Sequence, residues 1–259
     1  MKNIFWCLFK NRYRRAGTLD VLLMIPLLVK GQLNVGLNAG ISRNSLISSQ
    51  GYRSFTTYDK AYGYNAGLVL QYPVNKLMTV GVEPSFIKKN YEIARNDYYQ
   101  GGYEATRNSY IQLPVLFTFS LSNDKMLGGI TGGGYSAYWA HSRKKGVIPN
   151  LSNLSLQNGG YTNVFQNIQR FSYDETYHFD PNVDKRWEFG WVTGLDFQYT
   201  IVKQMAFFIA ARYYYSLTDQ VKNYSINHEP RYNETEVVMA GLLFKTNAHK
   251  KKQRIPYEK

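Results

Sequence analysis

The feature that most constrains the fold is an alternation of apolar and polar side chains with a period of two, which recurs eight times along the chain. Such alternation predicts β-strands with one apolar face, because successive side chains of a strand point to opposite sides. In one run, for example, Trp187, Leu195 and Tyr199 alternate with Glu188 and Asp196. The predicted strands are 33–44, 60–72, 78–89, 107–121, 126–141, 186–200, 205–217 and 235–245.

The spacers between these strands are alternately short and long. Those after the second, fourth and sixth strands hold only a few residues, as β-hairpin turns require. The others are the long segments 46–59, 91–106, 142–185 and 218–234. This arrangement predicts an all-β fold, a single eight-stranded antiparallel transmembrane β-barrel with short periplasmic turns and long external loops, in a bacterial outer membrane.

The chain divides into three parts. Residues 1–31 have the basic start, the apolar core at 21–29 and the small residues before Gln32 that are typical of a signal peptide. We expect cleavage after Gly31, a barrel at 32–245 and a basic periplasmic tail at 246–259. An amphipathic or buried helix is the alternative for the first segment. The apolar core is far shorter than the roughly 20 residues of a membrane-spanning helix.

Charge and cysteine content exclude several classes of protein. The net charge is +13, but much of the excess lies before residue 32 and after residue 244. A nucleic-acid interface needs basic residues clustered on a folded face, so we expect no nucleic-acid partner. Cys7 is the only cysteine of the chain, which excludes a disulfide scaffold.

The aromatic residues of the apolar faces form a second pattern that supports a membrane location. They lie near the strand ends, with aliphatic residues between them, as in the two aromatic girdles of an outer-membrane barrel. The predicted girdle residues are Tyr62, Tyr64, Tyr72, Trp187, Trp191, Tyr199, Tyr213 and Tyr215. The alternative is a soluble barrel with the apolar faces inward. The opposite faces, however, carry mainly Gly, Asn, Gln, Ser and Thr, which are too small and polar for a dry core.

A few charged and amide side chains fall on the predicted inward face. Eight-stranded barrels are filled by their own side chains, so these residues are expected to form a hydrogen-bonded network in the lumen. The predicted members are Glu83, Gln112, Glu188, Asp196, Gln198 and Arg212. Arg212 needs a carboxylate partner, because a buried unpaired charge is costly. A structural plug of paired charges is favoured over a gated pore or a proton path.

No motif predicts catalysis, a metal or a cofactor. Asp180, Asn182 and Asp184 have the spacing of a calcium loop, but Lys185 and Trp191 stand where Gly and Glu are required. The four histidines fall in loops or in the tail, and no spacing of Ser, His and Asp is typical of an outer-membrane hydrolase. We therefore expect a non-enzymatic protein. The asparagine-rich, partly apolar stretch 150–167 suits either a docking surface or a loop folded over the barrel mouth.

Three segments resemble a known family. The stretches YIQLPVL at 110–116, VGLNAG at 35–40 and ARYYYSLT at 211–218 are similar to the outer-membrane β-barrels of Bacteroidota often called PorT-like, small barrels of the porin family. The resemblance covers about residues 32–245. It implies the same fold and membrane, and it implies a role in protein secretion or gliding, because one class of members works in type IX machinery. The long third loop and the tail after Phe244 depart from the family pattern.

Three functions follow from these patterns. The leading hypothesis is a structural or interaction barrel, an accessory of a secretion or gliding complex, with outer-membrane lipid, lipopolysaccharide and protein partners at its external loops. The first alternative is a small transport pore, and the second is an outer-membrane enzyme acting at the loop face. Recovery of a stoichiometric partner, single-channel conductance and loss of activity on loop substitution distinguish the three.

Overall fold

The computed structural model describes residues 33–48, 56–96, 101–149, 170–222 and 231–245. The predicted signal segment, the predicted tail and the stretch 150–167 lie outside the described residues. No helix in the described part is long and apolar enough to cross a membrane. The strands are β1 (Asn34–Ile47), β2 (Thr56–Pro73), β3 (Met78–Val82), β4 (Ser85–Lys88), β5 (Tyr91–Arg95), β6 (Tyr103–Ser122), β7 (Met126–Pro149), β8 (Arg170–Thr176), β9 (Trp187–Val202), β10 (Met205–Ser216) and β11 (Tyr232–Lys245).

The strands form one antiparallel sheet that closes on itself. β1 pairs with β2 on one side and with β11 on the other. The ladder continues from β11 through β10, β9 and β7 to β6. β3, β4 and β5 follow one another between β2 and β6 and act as one interrupted strand. The ring therefore has eight strands, which confirms the predicted barrel.

The continuous third strand predicted at 78–89 is wrong in detail, because the chain is interrupted twice there. The first break follows Glu83 at Pro84, which has no N–H to donate to a ladder. The second break lies at Lys89 and Asn90. Both charged residues keep a backbone hydrogen bond to β6, from Glu83 to Pro114 and from Lys89 to Asn108. Each break thus lies beside an inward charged side chain, and the strand stays attached to β6.

One wall of the barrel is taller than the other. The predicted spacer 142–185 contains the end of β7 and all of β8, which pair with each other. With the upper ends of β2, β5 and β6 they make a five-stranded sheet beyond the ring, formed by residues 56–60, 91–95, 103–109, 141–149 and 170–176. We call it the outer sheet. β9, β10 and β11 end lower, at Trp187, Ser216 and Tyr232.

The outer surface of the ring is apolar. Leu37, Ile111 and Leu195 are each about 60% exposed, although they belong to regular strands. Trp191 stacks against Tyr215 with ring centroids 5.5 Å apart. The side chains predicted for the girdles that are exposed on this surface are Tyr62, Tyr64, Trp187, Trp191 and Tyr199. A ring of exposed aliphatic and aromatic side chains of this size has no counterpart on a soluble barrel.

The interior is less polar than its predicted composition of small polar residues. Between the charged groups lies a layer of buried aromatic and aliphatic side chains: Leu116, Tyr110, Tyr135, Trp139, Val192 and Tyr214. Inward glycines make room for these rings. A Cβ added to Gly190 would lie 2.7 Å from the Tyr135 ring and 2.1 Å from the carbonyl oxygen of Tyr215. In the glycine-rich fifth predicted strand, the sequence does not show which side chains point inward, so this layer was not predicted.

Candidate functional site

The lower of two ion-pair clusters in the lumen is centred on Arg212 of β10. Its guanidinium donates to Asp196 of β9 at 2.7 Å and to Glu83 at 3.2 Å. Asp196 also accepts a hydrogen bond from Thr131 of β7. The interrupted strand that carries Glu83 lies across the ring from β10, so the cluster ties opposite walls together. The Arg212 and Glu83 side chains are almost completely buried.

The upper cluster joins Lys89 to Glu188. The Nζ atom of Lys89 lies 2.5 Å from Oε1 of Glu188, and the two side chains are 0% and 4% exposed. Glu188 also accepts hydrogen bonds from the Tyr135 hydroxyl at 2.8 Å and from the Asn233 amide at 2.6 Å. The Lys89 ammonium lies over the rings of Tyr110 and Tyr135, at 5.1 and 4.8 Å from their centroids. This buried pair is therefore fully enclosed by hydrogen bonds and aromatic faces.

Below the lower cluster the lumen is open toward the short turns. A cavity of about 210 Å³ extends from Lys76 and Lys245 at the turn end to Asp196. Its wall includes the amides of Asn34 and Gln198. The cavity is a vestibule that ends at the Arg212 cluster.

Above the upper cluster two loop segments cover the lumen. We call residues 177–186 and 217–222 the cap. They are joined by backbone hydrogen bonds from Lys185 to Gln220 and from Lys222 to Val183, both 2.8 Å long. The Gln220 amide reaches down to the Tyr110 hydroxyl at 2.9 Å. The cap thus rests directly on the residues that surround the Lys89–Glu188 pair.

Aromatic packing fixes the other side of the cap. Phe179 packs edge-on against Trp139, with ring centroids 4.8 Å apart, and Tyr177 stacks on the same indole at 6.0 Å. Burial, with the hydrogen bond from the Tyr177 hydroxyl to Asp184, raises the pKa of Tyr177, which keeps it protonated as a donor. The long-loop end of the lumen is closed by packed side chains.

The structure divides the residues predicted for a single network. Glu83, Asp196 and Arg212 share the lower cluster, Glu188 belongs to the upper one, and Gln198 lines the vestibule. Gln112 is buried in the lumen beside Tyr214.

Lys89 is the functional residue that the sequence analysis missed. It ends the third predicted run, where a terminal lysine suggests a solvated strand end. Its place in the alternation could have indicated its role, because Lys89 has an odd number, as do Glu83 and Ile87, and the odd-numbered side chains of this strand point into the lumen.

The acidic residues of the cap act as turn-forming groups. The Asp184 carboxylate accepts from the Tyr177 hydroxyl and from the backbone N–H of Asp180 at 2.7 Å, and Asp180 accepts from the N–H of Asn182. Within the described ranges no group of three or more His, Cys, Asp and Glu side chains is placed to hold a metal ion. His141 and His178 are exposed at the long-loop end.

An ion pair also holds the outer sheet. Glu104 of β6 accepts from Lys144 of β7 at 3.1 Å and from the Tyr173 hydroxyl of β8 at 2.9 Å. Burial alone would raise the pKa of Glu104, but Lys144, Tyr173 and Thr106 together hold this pKa below its ordinary value. Burial and the neighbouring carboxylate raise the pKa of Tyr173, so its hydroxyl remains a donor.

Because the pKa of Glu104 is lowered in the folded state, this contribution to stability is present at neutral pH and is lost as the pH falls through the folded pKa. We expect the protection factors of the β8 amides, which correct for the intrinsic pH dependence of hydrogen exchange, to fall below about pH 4.5. Glu104→Gln should make exchange about tenfold faster at pH 7 and flatten the acid dependence. Glu92→Gln is the control on β5. If exchange in β8 depends on acid pH in the same way in Glu104→Gln and in the wild type, Glu104 is not the group that titrates.

A family model described as outer membrane protein beta-barrel domain matches residues 26–222, which is more than half of the chain. The chain belongs to this family. The barrel therefore lies in the bacterial outer membrane, with its short turns in the periplasm and its long loops outside. No curated protein matches the chain at a significant level.

Solved structures with a similar backbone are also outer-membrane proteins. The chain is similar to OprG of Pseudomonas aeruginosa, at 11% identity and a TM-score of 0.47, over 84% of this chain and 98% of that one. It is similar to the Escherichia coli outer membrane protease OmpT, at 10% identity and a TM-score of 0.48, over 83% of this chain and 97% of that one. It is also similar to Neisserial surface protein A, at 14% identity and a TM-score of 0.40, over 82% of this chain and 97% of that one.

Proposed function

We propose that the protein is a closed, non-conducting outer-membrane barrel that binds a protein partner through its outer sheet. The observation that carries this proposal is the asymmetry of the barrel, whose lumen is closed above the vestibule while one wall extends well beyond the apolar band. A wall of five paired strands is a rigid element, and rigid elements present a binding surface at low entropic cost.

The end of the outer sheet has a surface suited to a partner. Ile148 of β7 and Phe171 of β8 lie directly opposite each other in the ladder, and each is 50% exposed. Lys144 and Tyr173 follow on the same two strands, and both bind Glu104 of the neighbouring β6. An apolar pair with a polar rim is the usual arrangement at protein interfaces.

The finer role that we propose is that of an accessory to a secretion or gliding complex. Its support is the resemblance of the segments 35–40, 110–116 and 211–218 to the PorT-like barrels of Bacteroidota. A non-enzymatic role agrees with the enclosed charges of the lumen, which already have partners inside the barrel.

Mild-detergent extraction of the tagged protein from its native outer membrane tests this proposal. We expect a stoichiometric partner to co-purify, and we expect Ile148→Ser with Phe171→Ser to reduce its recovery about tenfold. Leu217→Ser is the matched control, because Leu217 is 66% exposed at the same end of the barrel but lies outside the outer sheet. Recovery of the protein alone, or equal loss with both variants, would contradict the docking role.

A small transport pore is the second candidate, and the periplasmic vestibule is the observation that favours it. The vestibule brings water-accessible space as far as Asp196. A pore would still have to pass the Arg212 cluster, the Lys89–Glu188 pair and the cap. Planar-bilayer recordings distinguish this candidate, because a filled lumen should give no discrete conductance steps.

A further inference from the structure

A group of basic side chains lies on the outward face of the taller wall, directly beyond the apolar band. Phe86 of β4 and Ile111 of β6 are paired and exposed, and the next outward positions are Lys88 and Ser109. We call the group the basic ridge. Its members are Lys88 on β4, Arg107 on β6, and His141, Arg143 and Lys145 on β7.

The ridge brings like charges together. Arg107 and Arg143 lie directly opposite each other in the β6–β7 ladder, an arrangement that destabilises an antiparallel pair. The Nζ atom of Lys88 donates to the Ser109 hydroxyl at 2.6 Å, and the positive charge of Arg107 repels the Lys88 ammonium. The barrel therefore carries a repulsion that its own fold does not require.

Among the described residues, a carboxylate offsets this repulsion at the β7 end of the ridge. Arg143 pairs with Asp174 at 2.7 Å. Among the residues with described side chains, Lys88, Arg107 and Lys145 form no ion pair within 4.0 Å, and Glu92 of the neighbouring β5 forms none with them.

The neighbouring strands β1, β2 and β11 show a contrasting arrangement. There Glu236 of β11 lies 3.7 Å from Arg43 and 2.9 Å from Lys60, so each of these two cations has a carboxylate partner within the protein. Unpaired positive charge is thus not a general property of the basic residues at the external rim. Within the ridge, the cations without an ion pair lie on β4, β6 and β7.

We propose that the basic ridge binds the phosphate groups of lipopolysaccharide in the outer leaflet. Lys88 lies two residues beyond Phe86, and Arg107 lies four residues beyond Ile111, which is paired with Phe86. At about 3.3 Å per residue and a tilt of about 40°, these positions lie about 5 to 10 Å outside the apolar band, at the depth of lipid headgroups. Phosphate oxygens accept hydrogen bonds from several cations at once and remove their mutual repulsion. This site is separate from the proposed docking end at Ile148 and Phe171.

The test uses the folded full-length barrel in phosphatidylcholine nanodiscs with and without diphosphoryl lipid A. Bound lipid A is counted by mass spectrometry after transfer to a neutral detergent. We expect the wild type to retain lipid A, and Lys88→Gln with Arg107→Gln to lower the affinity about tenfold or more. Arg43→Gln, which removes an outward cation that already has Glu236 as a partner, should change it less than about twofold.

Two further arms separate the proposal from its alternatives. In nanodiscs without lipid A, Arg107→Gln should unfold at the same temperature as the wild type or a higher one, because it removes a repulsion. Dephosphorylated lipid A should not be retained. Equal retention by the double variant, or displacement of lipid A by millimolar inorganic phosphate, would overturn the proposal; the second result would identify a site for soluble anions.

Discussion

Lys89→Met should lower the free energy of unfolding by about 3–5 kcal/mol, because it leaves Glu188 buried without its counter-charge. The Tyr135 and Asn233 hydrogen bonds to Glu188 remain, but they neutralise no charge. The measurement is urea unfolding in lipid vesicles, followed by the different gel mobility of folded and unfolded barrels. The same substitution should loosen the cap, because Tyr110 contacts both the Lys89 ammonium and Gln220.

A double-mutant cycle isolates the charge effect. Lys89→Met combined with Glu188→Gln should be more stable than Lys89→Met alone, since glutamine is neutral and can still accept from Tyr135. Arg143→Met is the matched control, because the Arg143–Asp174 pair is exposed and should contribute less than about 1 kcal/mol. Equal losses for Lys89→Met and Arg143→Met would contradict a buried ion pair at this position.

The ring of eight strands could be predicted because its two faces meet different surroundings. Outward residues such as Leu195 must be apolar, so the period of two persists over most of each strand. Where the chain leaves the apolar band this constraint ends, and the prediction fails there. β8 and the end of β7 alternate only weakly in hydrophobicity, which is why the segment 142–185 was assigned to a loop.

The lumen was harder to predict than the wall. The sequence shows which residues point inward, but the shear of the barrel decides which of them meet across it. Arg212 was expected to need a carboxylate, yet nothing local distinguishes Glu83 and Asp196 from Glu188 as its partners. Lys89 escaped notice because a lysine at a strand end is usually solvated. The two breaks in the third strand, at Pro84 and Asn90, depend on contacts with β6 that the sequence does not show.

Arg212→Met should also cost about 3–5 kcal/mol, since it leaves Glu83 and Asp196 as two buried carboxylates without a cation. Urea unfolding in lipid vesicles, followed by gel mobility, measures this loss of unfolding free energy. Adding Glu83→Gln and Asp196→Asn should recover a large part of it, because the amides retain hydrogen-bonding capacity without charge. A triple variant no more stable than Arg212→Met would show that shape, and not charge, makes this cluster important.

The same variants test whether the lumen conducts. Arg212→Met opens the end of the vestibule, but the Lys89–Glu188 pair and the Trp139–Tyr177–Phe179 packing still close the lumen above it. We therefore expect no conductance steps from the wild type or from Arg212→Met at any moderate voltage. Combining Arg212→Met with Lys89→Met should not open a pore either, because the Trp139–Tyr177–Phe179 packing still holds the cap where its contact with Tyr110 is loosened. Discrete steps from Arg212→Met alone would mean that the lower cluster is a gate, and the transport role would then replace the docking role.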